Sequence, residues 1–302
     1  MKITITGASG FVGSNLSKYL EENGNVVGKL SLRNPDWILN KNADVIIHLA
    51  GKAHDTANTS ADDEYFEINT ELTKKLFDDF LNSEIKDFLF FSSVKATADT
   101  LEGILDENHP SSPQTPYGRS KCEAEKHLLS KNLPSGKRLF IISPCMIHGP
   151  GNKGNLNLLY KVVEKGIPWP LASFENRRSF LSIDNLNYLV DKIINSDIPS
   201  GIYNFADDKA ISTNELVRII AKTSGKKEKL WHISAGLISG VAKLGDKIKL
   251  PLNSERLKKL TESYVVSNQK IKQALRLDSL PVSAENGMKK TIESFKNSNQ
   301  QL

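Results

Sequence analysis

Thr6-Gly7-Ala8-Ser9-Gly10-Phe11-Val12-Gly13 limits what this chain can become more than any other segment. It follows an alternating, β-branched run from Lys2 to Thr6. It leads into apolar positions that continue at helical spacing through Leu16 and Leu20. Glycines between a first strand and a first helix form the phosphate-binding corner of a βαβ unit. Gly7 permits the tight turn, Gly10 lets backbone approach a pyrophosphate, Gly13 lets helix pack on strand, and the helix start offers N–H groups to the anion. Three glycines can also close a purely structural turn. Their position at the head of a βαβ chain favours dinucleotide binding.

The first half repeats this alternation. Strands are expected at Val26 to Leu30, Val45 to Leu49, Phe88 to Ser92 and Leu139 to Ser143, several of them unbroken apolar runs of the kind covered on both faces. Between them run helical stripes such as Leu72, Leu76, Phe77, Phe80 and Leu81, or Ala124, Leu128 and Leu129. The pattern predicts an α/β fold with a doubly wound parallel sheet and a smaller second domain. Loops rich in Gly, Pro and Asn around Pro144 to Asn157 and Pro168 to Ser173 place the boundary near residue 150, so that 1–150 binds the dinucleotide, completed by about 180–206, and 151–302 forms most of the second domain. Further on, a helix is expected from Ile183 to about Asn195 and a strand near Ile202 to Phe205. Another helix opens at Ser212 or Thr213 with Glu215 behind it, and the polar stretch from Ser294 to Leu302 is expected to fray.

Composition excludes other classes. Lys and Arg number 40 against 35 Asp and Glu, a net of +5. The basic residues come in scattered pairs (Lys226/Lys227, Lys258/Lys259, Lys289/Lys290) that read as solvated helix faces, without the aromatic-interleaved stripe of a nucleic-acid binder. Cys122 and Cys145 fit no metal-ligand or redox spacing, so no metal site is expected and a reducing cytoplasm suits the chain. No signal peptide is expected from the strand that follows Met1 directly. No apolar run reaches the ~20 residues of a membrane span, so any membrane contact is expected to be peripheral.

The Thr-Gly start and Gly-x-x-Gly-x-x-Gly spacing resemble the short-chain dehydrogenase/reductase superfamily. His48-Leu49-Ala50-Gly51 resembles that family's segment on the nicotinamide side of the cofactor, and Asn69 sits where extended members carry an asparagine that braces the active-site helix. Tyr117-Gly118-Arg119-Ser120-Lys121 places a phenol and an ammonium on one helix face. A free phenol near pKa 10 is a poor base, but a neighbouring cation and the charge of an oxidised nicotinamide favour phenolate and make proton transfer with a sugar hydroxyl feasible. Phe90-Phe91-Ser92-Ser93 ends a strand where the family keeps a hydroxyl for the reacting oxygen; the role goes to Ser93, with Ser92 the alternative if the register slips by one residue. Glu123 is expected to face solvent.

Ser143-Pro144-Cys145-Met146-Ile147-His148-Gly149-Pro150-Gly151 is similar to an Arg-Pro-x-x-Val-Tyr-Gly-Pro-Gly segment of the NAD-dependent epimerase/dehydratase branch, and Asn176 to Asn185 is similar to its Arg-x-Phe-x-x-Val-x-Asp segment. The resemblance implies a Rossmann-type domain with a smaller C-terminal α/β substrate-binding domain. It implies NAD held by Gly7, Ser9, Gly10, Phe11, Val12 and Gly13, by Leu49, Ala50, Gly51 and Asn69, and by Tyr117, Lys121 and Pro144. It implies a UDP-linked sugar held by Ser93, Asn155, Leu156, Arg178 and Arg256, with Ser93, Tyr117 and Lys121 catalytic. The nearest subgroup is UDP-glucose 4-epimerase-like: cytoplasmic homodimers of surface-polysaccharide pathways that epimerise C4 of a UDP-hexose or UDP-N-acetylhexosamine through a transient ketone. The helices around Leu72 to Leu81 and Tyr117 to Leu129 are the candidate dimer contacts. Similar proteins instead reduce a UDP-4-keto-6-deoxyhexose. A catalytically silent dinucleotide sensor is a third reading, against which the intact Ser, Tyr and Lys argue.

Some residues depart from the pattern. NAD enzymes carry an acidic residue about 20 positions past the glycines, but here stands Lys29-Leu30-Ser31-Leu32-Arg33. Arg33 suits a 2′-phosphate, which adds weight to NADP and to a reductase, while Asp36 follows Pro35. The stretch to Asp44 leaves little room for a third Rossmann strand. Ser143, Met146 and His148 replace the branch's arginine, asparagine and tyrosine.

Overall fold

The computed structural model describes residues 1–52, 61–152, 154–248 and 253–299. The chain opens as β1 (Lys2–Thr6), α1 (Phe11–Glu22), β2 (Val26–Leu30) and β3 (Val45–His48). Next come α2 (Asp62–Phe66), a π-helical turn over Glu67–Glu71, α3 (Leu72–Leu81), β4 (Asp87–Phe91) and β5 (Ile104–Leu105). Then follow α4 (Pro116–Ser130), β6 (Arg138–Pro144), β7 (Met146–His148), α5 (Asn155–Glu164), β8 (Phe180–Ser182), α6 (Ile183–Ile194) and β9 (Gly201–Phe205). The last elements are α7 (Thr213–Thr223), α8 (Ala235–Ile248), α9 (Ser254–Thr261), β10 (Val265–Val266), α10 (Gln269–Leu275) and α11 (Ala284–Asn299).

Six strands form one parallel sheet in the order β2-β1-β3-β4-β6-β9. This is the Rossmann-type α/β fold. The chain steps outward from β1 to β2 and returns to the far side of β1 as β3. That reversal leaves a crevice beyond the carboxyl ends of β1 and β3, where doubly wound sheets bind ligands. Both faces are covered. Leu16 and Leu20 of α1 with Leu186, Leu189, Val190 and Ile193 of α6 cover one, and Leu76, Phe77 and Phe80 of α3 with Ala124 and Leu128 of α4 cover the other. The stripes of α3 and α4 are therefore spent in the chain's own core, leaving Leu129 as an exposed apolar residue on α4.

Residues 31–44 join β2 to β3 without a strand or helix, as the short stretch implied. Leu32, Leu39 and Ala43 from this loop are buried against the α3 side, in place of the missing element. Past β6 the chain forms a small separate sheet, β7 with β8, returns through α6 and β9, and builds the α5, α7 and α11 cluster. The end does not fray at Ser294. Met288, Ile292 and Phe295 recur at helical spacing and are buried, with Phe295 edge-on to Tyr160, so α11 continues to Asn299; residues 300–302 lie outside the described residues. Ser212 and Glu215 form the expected reciprocal cap of α7.

Candidate active site

Backbone sterics build the cofactor side. Gly7 has φ +68°, and a Cβ there would lie 2.7 Å from the Ala50 nitrogen, so the turn after β1 presses against the segment after β3. A Cβ on Gly13 would come within 2.2 Å of the Gly7 oxygen. Helix α1 thus starts directly on the turn, with Ser9 and Gly10 exposed and Phe11 and Val12 half-buried. Beside them opens a cleft of roughly 970 Å³, lined by Gly7 to Gly10, Leu49 to Lys52, Ile68 and the end of β2. The outer end has the chemistry expected from sequence: Lys29, Ser31 and Arg33 line it and Asp36 does not. A dinucleotide fits these residues, with bare backbone for its pyrophosphate and cations for its far ribose.

Local chemistry also positions the catalytic candidates. The Thr115 hydroxyl caps α4 by accepting from the Gly118 N–H, and Pro116 occupies the first turn, where its missing N–H costs nothing. The Asp99 carboxylate accepts from Gln114 N, Thr115 N and the Thr115 hydroxyl, tying the loop after β4 to the start of α4. Gly118 brings them closer still, since a Cβ there would sit 2.4 Å from the Lys95 oxygen. Tyr117 consequently meets Ser93, whose hydroxyl lies close enough to favour its phenolate. One turn on, the Lys121 ammonium donates to the Phe91 carbonyl at 2.9 Å. It also lies next to Gly51, which lines the cleft and whose added Cβ would be 3.2 Å from Nζ.

Ser93 and Ser92 are now separated in role. Ser92 faces the other way and donates to the Glu125 carboxylate. Burial pushes the Glu125 carboxyl up to about 7, against the Ser92 bond and the charge of Lys121; burial likewise lowers Lys121 to about 8, and Glu125 holds it up. Sequence reasoning missed Glu125, although it continues the Tyr117, Lys121 face by one more turn. Glu123 is exposed and pairs with Lys74 at 3.6 Å. The expectation for the phenol needs correcting: burial raises the Tyr117 pKa, the Ser93 bond offsets part of the rise, and Glu125 and Tyr65 add to it. The Lys121 charge is directed at a carbonyl and a carboxylate, so phenolate formation waits for a further positive charge. Replacing Glu125 by Gln should lower the Lys121 pKa below about 8. The alkaline limb of a pH–rate profile should then move to lower pH, because the ammonium is lost as pH rises through that value; an unmoved limb would remove Glu125 from this role.

Asn69 takes the bracing position. Its amide donates to the Ser120 hydroxyl at 3.0 Å and the Lys52 carbonyl at 3.2 Å, and its oxygen accepts from Lys52 N at 2.8 Å. It sits in the π-helical turn, a widening that helices often use at functional sites. Behind it runs a buried chain that the sequence did not disclose. Ala50 N donates to the Thr6 hydroxyl, which donates a hydrogen bond to His48 Nδ1 at 2.7 Å; because the Thr73 hydroxyl donates to the Asn69 carbonyl at 2.7 Å, it accepts from His48 Nε2–H at 2.9 Å. Burial lowers the His48 pKa to about 3, so the ring stays neutral and holds this direction.

The substrate candidates are less gathered. Pro144 ends β6 beside Phe205, at the point where the chain leaves the main sheet. Asn155 opens α5. The Leu156 side chain is buried with Tyr160 and Met288, so only its backbone N–H can meet a ligand. The Arg178 guanidinium is half-buried and donates to the Glu262 carbonyl at 3.1 Å and the Lys259 carbonyl, and its charge reaches Lys95, two residues past Ser93. It therefore lies near the site but is engaged by the end of α9. Arg256 is exposed on the first turn of α9. Cys122 and Cys145 are free and buried, and no cluster of metal-ligating side chains occurs among the described residues.

A parallel sheet with a glycine turn at its switch point, facing a Ser, Tyr and Lys, defines a dinucleotide-dependent enzyme of short-chain dehydrogenase type. Comparison with known proteins narrows the class. The model of the NAD dependent epimerase/dehydratase family matches residues 3–206, and the chain belongs to that family of NAD(P)-dependent nucleotide-sugar enzymes. It is 31% identical over 324 residues to a UDP-glucose 4-epimerase of Vibrio cholerae, covering 98% of this chain and 96% of the relative. It is 27% identical over 226 residues to the N-acetyl-alpha-D-glucosaminyl-diphospho-ditrans,octacis-undecaprenol 4-epimerase of Escherichia coli O157:H7, covering 72% and 67%. Among solved structures, UDP-glucuronic acid 4-epimerase from Bacillus cereus in complex with NAD superimposes with a TM-score of 0.75 at 18% identity, covering 98% and 99%, which speaks to the fold.

Proposed function

We propose that this chain epimerises C4 of a UDP-hexose or UDP-N-acetylhexosamine through a transient 4-keto sugar. The observation that carries the reading is Tyr117 beside the Ser93 hydroxyl with Lys121 one turn on, in a chain that is 31% identical to a UDP-glucose 4-epimerase over 98% of its length. Bound NAD would accept and return the hydride. Tyr117 takes the C4 hydroxyl proton and gives it back, Ser93 orients that oxygen, and Lys121 holds the ribose of the nicotinamide, whose oxidised ring would bring the positive charge the phenol lacks. In this reading residues 1–150, completed by 180–206, hold the cofactor and the remainder holds the sugar nucleotide.

A second reading, reduction of a UDP-4-keto sugar, is favoured by one observation. Lys29 and Arg33 give the cofactor cleft a cationic end suited to the 2′-phosphate of NADPH. The two differ in cofactor handling, because an epimerase must keep one cofactor through both hydride steps while a reductase exchanges it each turnover. Mass spectrometry of small molecules released from denatured protein should find NAD in near-stoichiometric amount, and added UDP-hexoses should equilibrate at C4 without added reductant. Cofactor-free protein that consumes NADPH would establish the reductase instead. The E. coli relative's substrate carries its sugar on a polyprenyl diphosphate, so UDP-linked and lipid-linked sugars belong side by side in the assay.

A further inference from the structure

We infer that α8 and the residues leading into it form a surface that docks this protein on an anionic membrane face. Helix α8 has two apolar sides where a surface helix needs one. Ile238 and Ala242 are buried against Leu171 and Leu257. On the adjoining side Leu237, Val241 and Leu244, at i, i+4 and i+7, are 63%, 44% and 53% exposed, and Trp231, shortly before the helix, is 56% exposed. Exposed apolar residues on other helices come singly, as Leu129 on α4 and Leu158 on α5 do, and need no explanation. A row of three beside a tryptophan does.

Charge selects the occupant. Residues 222–259 contain ten Lys and Arg and three Asp and Glu, a net of +7 in a chain whose total is +5, so the rest of the chain is slightly acidic. Lys229 and Lys243 from this segment are exposed, Lys243 on α8 itself and Lys229 with its ammonium on the Gly166 carbonyl at 3.0 Å. A second copy seated on the same face would set one basic segment against another, which isologous pairing makes costly. Anionic headgroups complement it. At 14 residues α8 is about 21 Å long, and no described helix is long and apolar enough to cross a membrane. The geometry is that of a helix lying in the interface, with leucines and tryptophan in the acyl boundary and lysine heads among the phosphates.

The docking surface does not depend on which reaction the site performs, and its test is binding. Full-length protein should co-sediment with phosphatidylcholine vesicles containing about 30% phosphatidylglycerol and be released by high salt. It should bind pure phosphatidylcholine at least ~10-fold less. The combined Leu237→Ser, Val241→Ser and Leu244→Ser variant should lose ~10-fold or more of the anionic-vesicle binding with its melting temperature and cofactor binding unchanged, because these side chains are exposed. Lys229→Glu with Lys243→Glu should weaken binding with the apolar row intact. Wild-type protein that ignores both vesicles, or a triple variant that binds like wild type, overturns the proposal. So does a dimer, or a complex with an acidic protein, that the triple variant disrupts in the absence of vesicle binding.

Discussion

Replacing Tyr117 by Phe is expected to cut turnover by ~10²- to 10⁴-fold, a rise of roughly 3 to 5 kcal/mol in the barrier, with cofactor binding nearly unchanged. The change deletes one oxygen and keeps the ring against Tyr65, where the two rings meet edge-on at 6.3 Å. Lys121 keeps its Phe91 carbonyl and Gly51 its approach to Nζ, so the ribose side of the site is undisturbed. What disappears is the group that, in the proposed epimerisation, takes and returns the proton of the sugar oxygen. Ser93 cannot substitute, because a hydroxyl far weaker in acidity than a phenol offers no route to the anion. Equilibrium binding of NAD and NADPH, measured beside turnover, separates the two effects. A variant that turns over normally would show that the proton moves elsewhere. Ser93→Ala should fall between wild type and this variant.

Gly13→Ala should unfold several degrees below the parent and lose cofactor binding, whereas Gly10→Ala should melt like the parent and lose only affinity. The distinction is steric. An added methyl at Gly13 meets the Gly7 oxygen at 2.2 Å and the Ala8 Cα at 2.7 Å, both backbone that cannot rotate away, so α1 must lift from β1. Overpacking of this kind costs about 1–3 kcal/mol, and α1 carries Leu16 and Leu20 into the sheet core. At Gly10 the nearest protein atom is 3.4 Å away, at the edge of ordinary contact. Its methyl would stand where a pyrophosphate approaches the helix start. Thermal melts with and without NAD report both quantities. Equal melting temperatures for the two variants would refute the account of Gly13.

The parallel strands were readable because residues covered on both faces leave unbroken apolar runs such as Phe88 to Phe91, and because the glycine turn marks where the first run ends. Tyr117 and Lys121 were readable because four residues on a helix is a fixed geometry. The tail was misjudged: polar residues outnumber Met288, Ile292 and Phe295 there, and only packing against Tyr160 reveals that those three decide its fate.

Sequence by itself thus determined the sheet, the glycine corner, the Tyr117 and Lys121 pair with a serine at the end of β4, and the cationic run Lys29 to Arg33, since each follows from local spacing or from order along the chain. Only the tertiary structure decided which serine faces Tyr117, that the phenol starts with a raised pKa, that Arg178 is engaged by α9, and that His48 and Glu125 stand behind the site. These depend on register between β4 and α4, on burial, and on contacts across 25 to 84 residues of sequence. A carboxyl or imidazole takes its charge state from such surroundings, and no spacing along the chain encodes them.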